Sequence, residues 1–88
     1  MTGDAMPHQR DDTVNWAEIS LEEILERAIA DEEEARDYYK HAADLAGSVH
    51  TRYMLLSLSE MEQGHADTLR KELEDLLLQR DLETGMAD

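Results

Sequence analysis

Ala42-Ala43-Asp44-Leu45-Ala46-Gly47-Ser48-Val49-His50 is the stretch on which the reading of this chain turns. Up to Ala46 the residues favour helix. Gly47 fits a C-terminal stop, and Ser48 fits the N-cap of a new helix. Nothing between them is long enough to serve as a linker. The segments on either side are therefore expected to be two helices folded back on each other, antiparallel.

Upstream of the turn, helix-favouring Ala, Glu, Leu and Arg dominate back to Ser20. Ser20 with Glu23 three residues later makes a capping box, and Ile19 and Ile24 occupy the positions of a hydrophobic staple. Met1 to Val14 hold Gly3, Pro7 and polar residues without a period, so residues 1–19 are expected to form a flexible leader, with Asn15, Trp16 and Ile19 as a short lead-in. Downstream, a second helix is expected from Val49 to about Leu82, with Gly85 just beyond it. Gly64 inside it costs roughly 1 kcal/mol relative to Ala. The organisation is an all-α hairpin over residues 20–83 with a flexible tail at 84–88.

Composition narrows the function. The chain has 88 residues, no Cys and a net charge of −14. Such a charge excludes a nucleic-acid binder, which needs a basic face, and an anionic membrane surface. It suits attraction of cations. The lack of Cys excludes an iron site built from thiolates. No apolar run approaches the ~20 residues of a membrane span, and there is no signal pattern, so a cytoplasmic location is expected. A core this small needs reinforcement from a metal or a second subunit.

Both possibilities are written into the seams. On the first helix Leu21, Leu25, Ala28, Glu32, Ala35, Tyr39, Ala42 and Ala46 alternate steps of four and three, the pattern of a bundle seam. On the second, Leu55, Leu58, Glu62, His65, Leu69, Leu73 and Leu76 keep steps of three or four. Glu32, Glu62 and His65 are the acidic and imidazole members. Glu32 lies 15 residues before Gly47, Glu62 lies 15 after it and His65 18 after it. At about 1.5 Å per residue the three should meet at one level of the hairpin.

An uncompensated buried carboxylate costs several kcal/mol. Carboxylate oxygen and imidazole nitrogen together suit Fe, Mn or Zn, so a metal explains all three residues. A two-helix hairpin leaves its own core uncovered. Two hairpins can close a ferritin-like four-helix bundle, giving two Glu from the first helices and two Glu-x-x-His pairs from the second, the ligand set of a di-iron bundle. The four carboxylates would balance two divalent iron ions per dimer.

Each feature has a plainer reading. Glu32 could belong to the solvated acidic run Asp31 to Glu34, and Tyr39 could be core rather than a neighbour of the metal. Asp31 and Glu34 lie off the seam, as a solvated face or as an entrance for cations at the dimer edge. His8, His41 and His50 are not expected to be ligands, and Met54 and Met61 are expected to pack.

Glu32-Glu33-Glu34-Ala35-Arg36-Asp37-Tyr38-Tyr39 resembles the first-helix motif of rubrerythrins and encapsulated ferritins, a ligand Glu followed by Ala at +3 and an aromatic residue at +7. Glu62-Gln63-Gly64-His65 resembles their second-helix motif. One half-bundle per chain points to the encapsulated-ferritin type. The resemblance implies a ferroxidase with Glu32, Glu62 and His65 as ligands from two subunits, and Asp31 and Glu34 near the entrance. It also implies a homodimer assembled into a decamer or similar ring inside an encapsulin shell that stores the mineral. Leu82 to Asp88 do not resemble the Gly-Ser-Leu-type tail usual in such cargo. A rubrerythrin-like peroxidase at the same site and a non-enzymatic metal-binding hairpin are the alternatives.

Overall fold

The structure is a computed structural model and describes residues 14–87, with side chains to residue 83. The expected leader thus lies outside the described residues as far as residue 13, with His8 in it, as do the side chains of the expected tail. Two helices make up the fold, α1 (Leu21–Asp44) and α2 (Val49–Ala87), packed against each other. No helix among the described residues is long and apolar enough to cross a membrane.

The start of α1 is held as its sequence predicts. Ser20 is extended, with φ −96 and ψ 160. Its hydroxyl accepts the Glu23 amide at 3.1 Å, and the Glu23 carboxylate accepts the Ser20 amide at 3.0 Å. This reciprocal pair satisfies two of the amides a helix start leaves unpaired. Before it, the amides of Glu18 and Ile19 both donate to the Asn15 carbonyl at 3.0 Å, so the lead-in is a single turn. Trp16 is exposed rather than packed.

The turn differs from expectation in its chemistry. Gly47 does not take the left-handed conformation. Instead α1 ends by tightening, with the Leu45 amide on the Ala42 carbonyl at 3.0 Å and that of Ala46 on Ala43 at 3.2 Å. Ser48 then caps α2, its hydroxyl accepting the Thr51 amide at 3.1 Å. The second helix runs 39 residues, past the expected end near Leu82.

The line where the two helices meet is not the predicted stripe. Ile29, Arg36 and Ala43 lie seven residues apart on α1, Ser59 and Ala66 seven apart on α2, and Ser59 donates to the Arg36 carbonyl across the contact. Ile29, Ala43, Ser59 and Ala66 are the buried side chains among the described residues. The stripes that carry Glu32, Glu62 and His65 lie beside this line and are at best half-buried. A helix in a bundle touches two neighbours on two edges. The small-residue edge is used inside the hairpin, and the leucine-rich edge is left open. The molecule's smallest extent is 15 Å, one helix thick. Met54 and Met61, expected to pack, are exposed in the single chain.

Candidate metal centre

The hairpin brings Glu32 from the middle of α1 against Glu62 and His65 from α2. One ligand-type atom from each lies within 4.8 Å of the other two. The Nδ1 of His65 stands 3.4 Å from the Glu62 carboxylate and 3.5 Å from that of Glu32. Both distances exceed the 2.7–2.9 Å of a charge-assisted hydrogen bond. They match the edge of a coordination shell: donors about 2.1 Å from one ion lie about 3.4 Å apart in a tetrahedron and about 3.0 Å in an octahedron. The imidazole nitrogen thus stands off both carboxylates at the spacing of donors around a common ion.

Electrostatics tells the same story. The Glu32 carboxyl is held above the ordinary 4.5, chiefly by its hydrogen bond to Glu62, then by burial and by the charge of Glu62, with His65 pulling the other way. Two carboxylates this close hold a proton or a cation between them. A divalent ion does the same without protonation, and two oxygens with one imidazole nitrogen suit iron. The residues present therefore fit a metal ion, with coordination positions left over.

Those positions face outward. The side chains of Glu32 and Glu62 are 29% and 21% exposed, and that of His65 is 57% exposed. The donors thus sit on the open, leucine-rich face. Among the described residues no other group of acidic, His or Cys side chains converges in this way.

The remaining candidates are placed as follows. Tyr39 is half-buried, its ring edge-to-face on Tyr38 at 5.6 Å between centroids, and it makes no hydrogen bond to the three donors. Asp31 and Glu34 are exposed on either side of Glu32 and do not join the cluster. His41 and His50 are exposed and apart from it.

One set of residues was missed from sequence. Arg36 donates to the Gln63 side-chain oxygen at 2.7 Å, and Ser59 donates to the Arg36 carbonyl at 3.0 Å. Arg70 pairs with Glu33. The signal was available: Arg36 is the only charged member of the Ile29–Arg36–Ala43 line, four residues after Glu32.

The rubrerythrin family model matches residues 23–87, which is 65 of the 88 residues. No curated protein and no solved structure gives a match. The match runs from the capping box of α1 to the end of α2 and takes in all three donors, and the chain belongs to the rubrerythrin family, whose fold is ferritin-like and whose members bind iron.

Proposed function

We propose that the chain is half of a ferroxidase of the encapsulated-ferritin type, completed by a second copy of itself. One observation carries the reading: three metal-type donors converge on the uncovered face of a hairpin one helix thick. Facing hairpins bury the leucines of both open faces and bring six donors together, two Glu32, two Glu62 and two His65. Two Fe(II) ions per dimer are the substrate. Each gives up one electron, and O2, the co-substrate, accepts the two with two protons from water and leaves as hydrogen peroxide.

The chain's own residues bind, orient and attract. In the dimer Glu32, Glu62 and His65 of each chain would hold one ion from their own side, and their carboxylates would be shared between the two halves of the site. Carboxylate oxygens stabilise the higher iron charge, which favours oxidation. The leucines around the donors keep the site partly dry, and the net charge of −14 draws cations toward it. Asp31 and Glu34, exposed beside Glu32, serve as the approach for ions. Tyr39, one heptad along from Glu32, lines the dimer seam near the site. A dimer of hairpins encloses no mineral cavity, so storage requires a larger ring or a surrounding encapsulin shell.

Anaerobic Fe(II) titration followed by O2 tests this. One iron per chain is expected, with binding and oxidation lost in Glu32→Ala and His65→Ala. Unchanged iron handling in both variants refutes the site. The family match also favours a rubrerythrin-like peroxidase reading, in which peroxide replaces O2 and electrons come from a separate protein, since the chain has no Cys. Comparing oxidation of the loaded protein by peroxide and by O2 separates the two. Iron bound without turnover by either oxidant would leave a metal-binding hairpin.

A further inference from the structure

The face opposite the donors carries a continuous belt of polar contacts. Asp37 accepts from Arg36 Nε at 2.8 Å, and Arg36 Nη1 donates to the Gln63 oxygen at 2.7 Å. The Gln63 amide nitrogen donates to Asp67 at 2.9 Å. Asp67 lies 3.7 Å from Arg70, and Arg70 returns across the helices to Glu33. The belt therefore crosses from one helix to the other twice, at Arg36–Gln63 and at Arg70–Glu33. Its two crossings involve the residues that directly follow the carboxylate donors, Glu33 after Glu32 and Gln63 after Glu62. Ser59, one turn before Glu62, adds a third crossing to the Arg36 carbonyl and is itself buried.

These contacts matter because apolar packing here is a weak guide to register. The buried residues along the helix contact are Ile29, Ala43, Ser59 and Ala66. Three of the four are small, so among these buried residues only Ile29 offers a large side chain against sliding of one helix along the other. A slip of one turn, about 5.4 Å, exceeds the whole spread of the donor atoms. Directional hydrogen bonds and charge pairs resist such a slip. They also oppose the repulsion between Glu32 and Glu62 on the front.

We propose that the Arg36–Gln63 and Arg70–Glu33 crossings are positioning elements for the metal centre: they hold α2 in the register that sets Glu62 and His65 against Glu32. The inference rests on the metal-binding reading above. Arg36 and Gln63 touch no metal and act through the backbone of the turns that carry the donors.

The test is anaerobic titration with Co(II), read by its visible absorption, for wild type, Arg36→Ala, Gln63→Ala and the double variant. Helical content by circular dichroism is measured alongside. Loss of partners that orient ligands typically costs about 10–100-fold in metal affinity. A weakening of about tenfold or more, with an altered Co(II) spectrum, is expected in each single variant. The double variant should lose no more than either single, because both break the same crossing. Arg80→Ala serves as control. It removes another cross-helix ion pair, Arg80 to Glu22 at 2.8 Å, far from the donors, and should leave Co(II) affinity and spectrum unchanged. Wild-type affinity and spectrum in Arg36→Ala and Gln63→Ala overturn the positioning role alone. An equal loss in Arg80→Ala also overturns it, in favour of general destabilisation. A wild type that binds no Co(II) overturns the metal reading and the belt with it.

Discussion

Replacing Glu32 by Gln should stabilise the metal-free protein and abolish its response to metal. Glu32 and Glu62 place carboxylate oxygens within 4.8 Å of each other. Two unit charges at that separation repel by about 0.9 kcal/mol in water and about 3.5 kcal/mol at an effective dielectric constant of 20. The side chains are 29% and 21% exposed, so the environment lies between these limits, and His65 offsets part of the repulsion. About 1–2 kcal/mol is then released by Gln at neutral pH. A domain of this size shifts in Tm by about 4–8 °C per kcal/mol. The gain depends on pH with a definite sign. The folded-state pKa of Glu32 lies above 4.5, so the folded chain binds this proton more tightly than the unfolded chain. The associated stability is complete below pH 4.5 and is lost as pH rises through the folded value. Wild type and variant should therefore melt together near pH 4 and diverge toward pH 7, with the variant higher. Saturating divalent metal reverses the order. Free metal at 100 times Kd adds about 2.7 kcal/mol to wild type and nothing to the variant. Thermal melts by circular dichroism from pH 4 to 8, in chelator and in Co(II), measure all of this. Equal melting at pH 7 in chelator, or a gap that persists undiminished at pH 4, refutes the reasoning.

Leu69→Asp, one turn beyond His65 on the open face, should abolish self-association in sedimentation while leaving helical content intact, because a carboxylate buried at an interface costs several kcal/mol. Gly64→Ala should raise stability by up to about 1 kcal/mol, since a Cβ there meets nothing within 4 Å. Its metal affinity should stay at wild type, and a loss would mean that the partner approaches the backbone at that point. Ser20→Ala removes the reciprocal cap on α1 and should lower stability by about 1 kcal/mol in a thermal melt.

The hairpin was legible because its signals are local. Ser20 with Glu23 starts α1, Ser48 starts α2, and both hydroxyls cap as their positions imply. The common level of Glu32, Glu62 and His65 was legible because two straight helices from one tight turn convert sequence separation into height. The partition of the two seams was not. Counting steps of three and four finds the most apolar line, and that line is the open edge. The contact inside the hairpin uses Ala43, Ser59 and Ala66, whose small size hides them from a search for leucines. Gly47 misled for a related reason. Its composition suits a left-handed stop, but the short tightening at Leu45 and Ala46 already satisfies the last carbonyls. Arg36 and Gln63 escaped because side-chain contacts across two helices depend on rotation about each axis, which spacing alone leaves undetermined.

Metal binding and self-association should be two faces of one equilibrium. A hairpin one helix thick leaves its leucine-rich edge in water, and pairing would cover that edge. In the absence of metal, however, pairing also brings four seam carboxylates together, so like-charge repulsion works against it. Divalent ions remove that repulsion and supply bonds from both chains. By linkage, the factor by which Fe(II) tightens the dimer must equal the factor by which dimerisation tightens Fe(II). Sedimentation with and without anaerobic Fe(II) measures the first factor. Titration at protein concentrations below and above the dimer midpoint measures the second. Glu32→Gln should bring both factors to one, because it removes the repulsion and a ligand at once. A dimer whose stability is indifferent to Fe(II), or an Fe(II) affinity independent of protein concentration, would place the complete site within one chain and break the link between the open face and the metal.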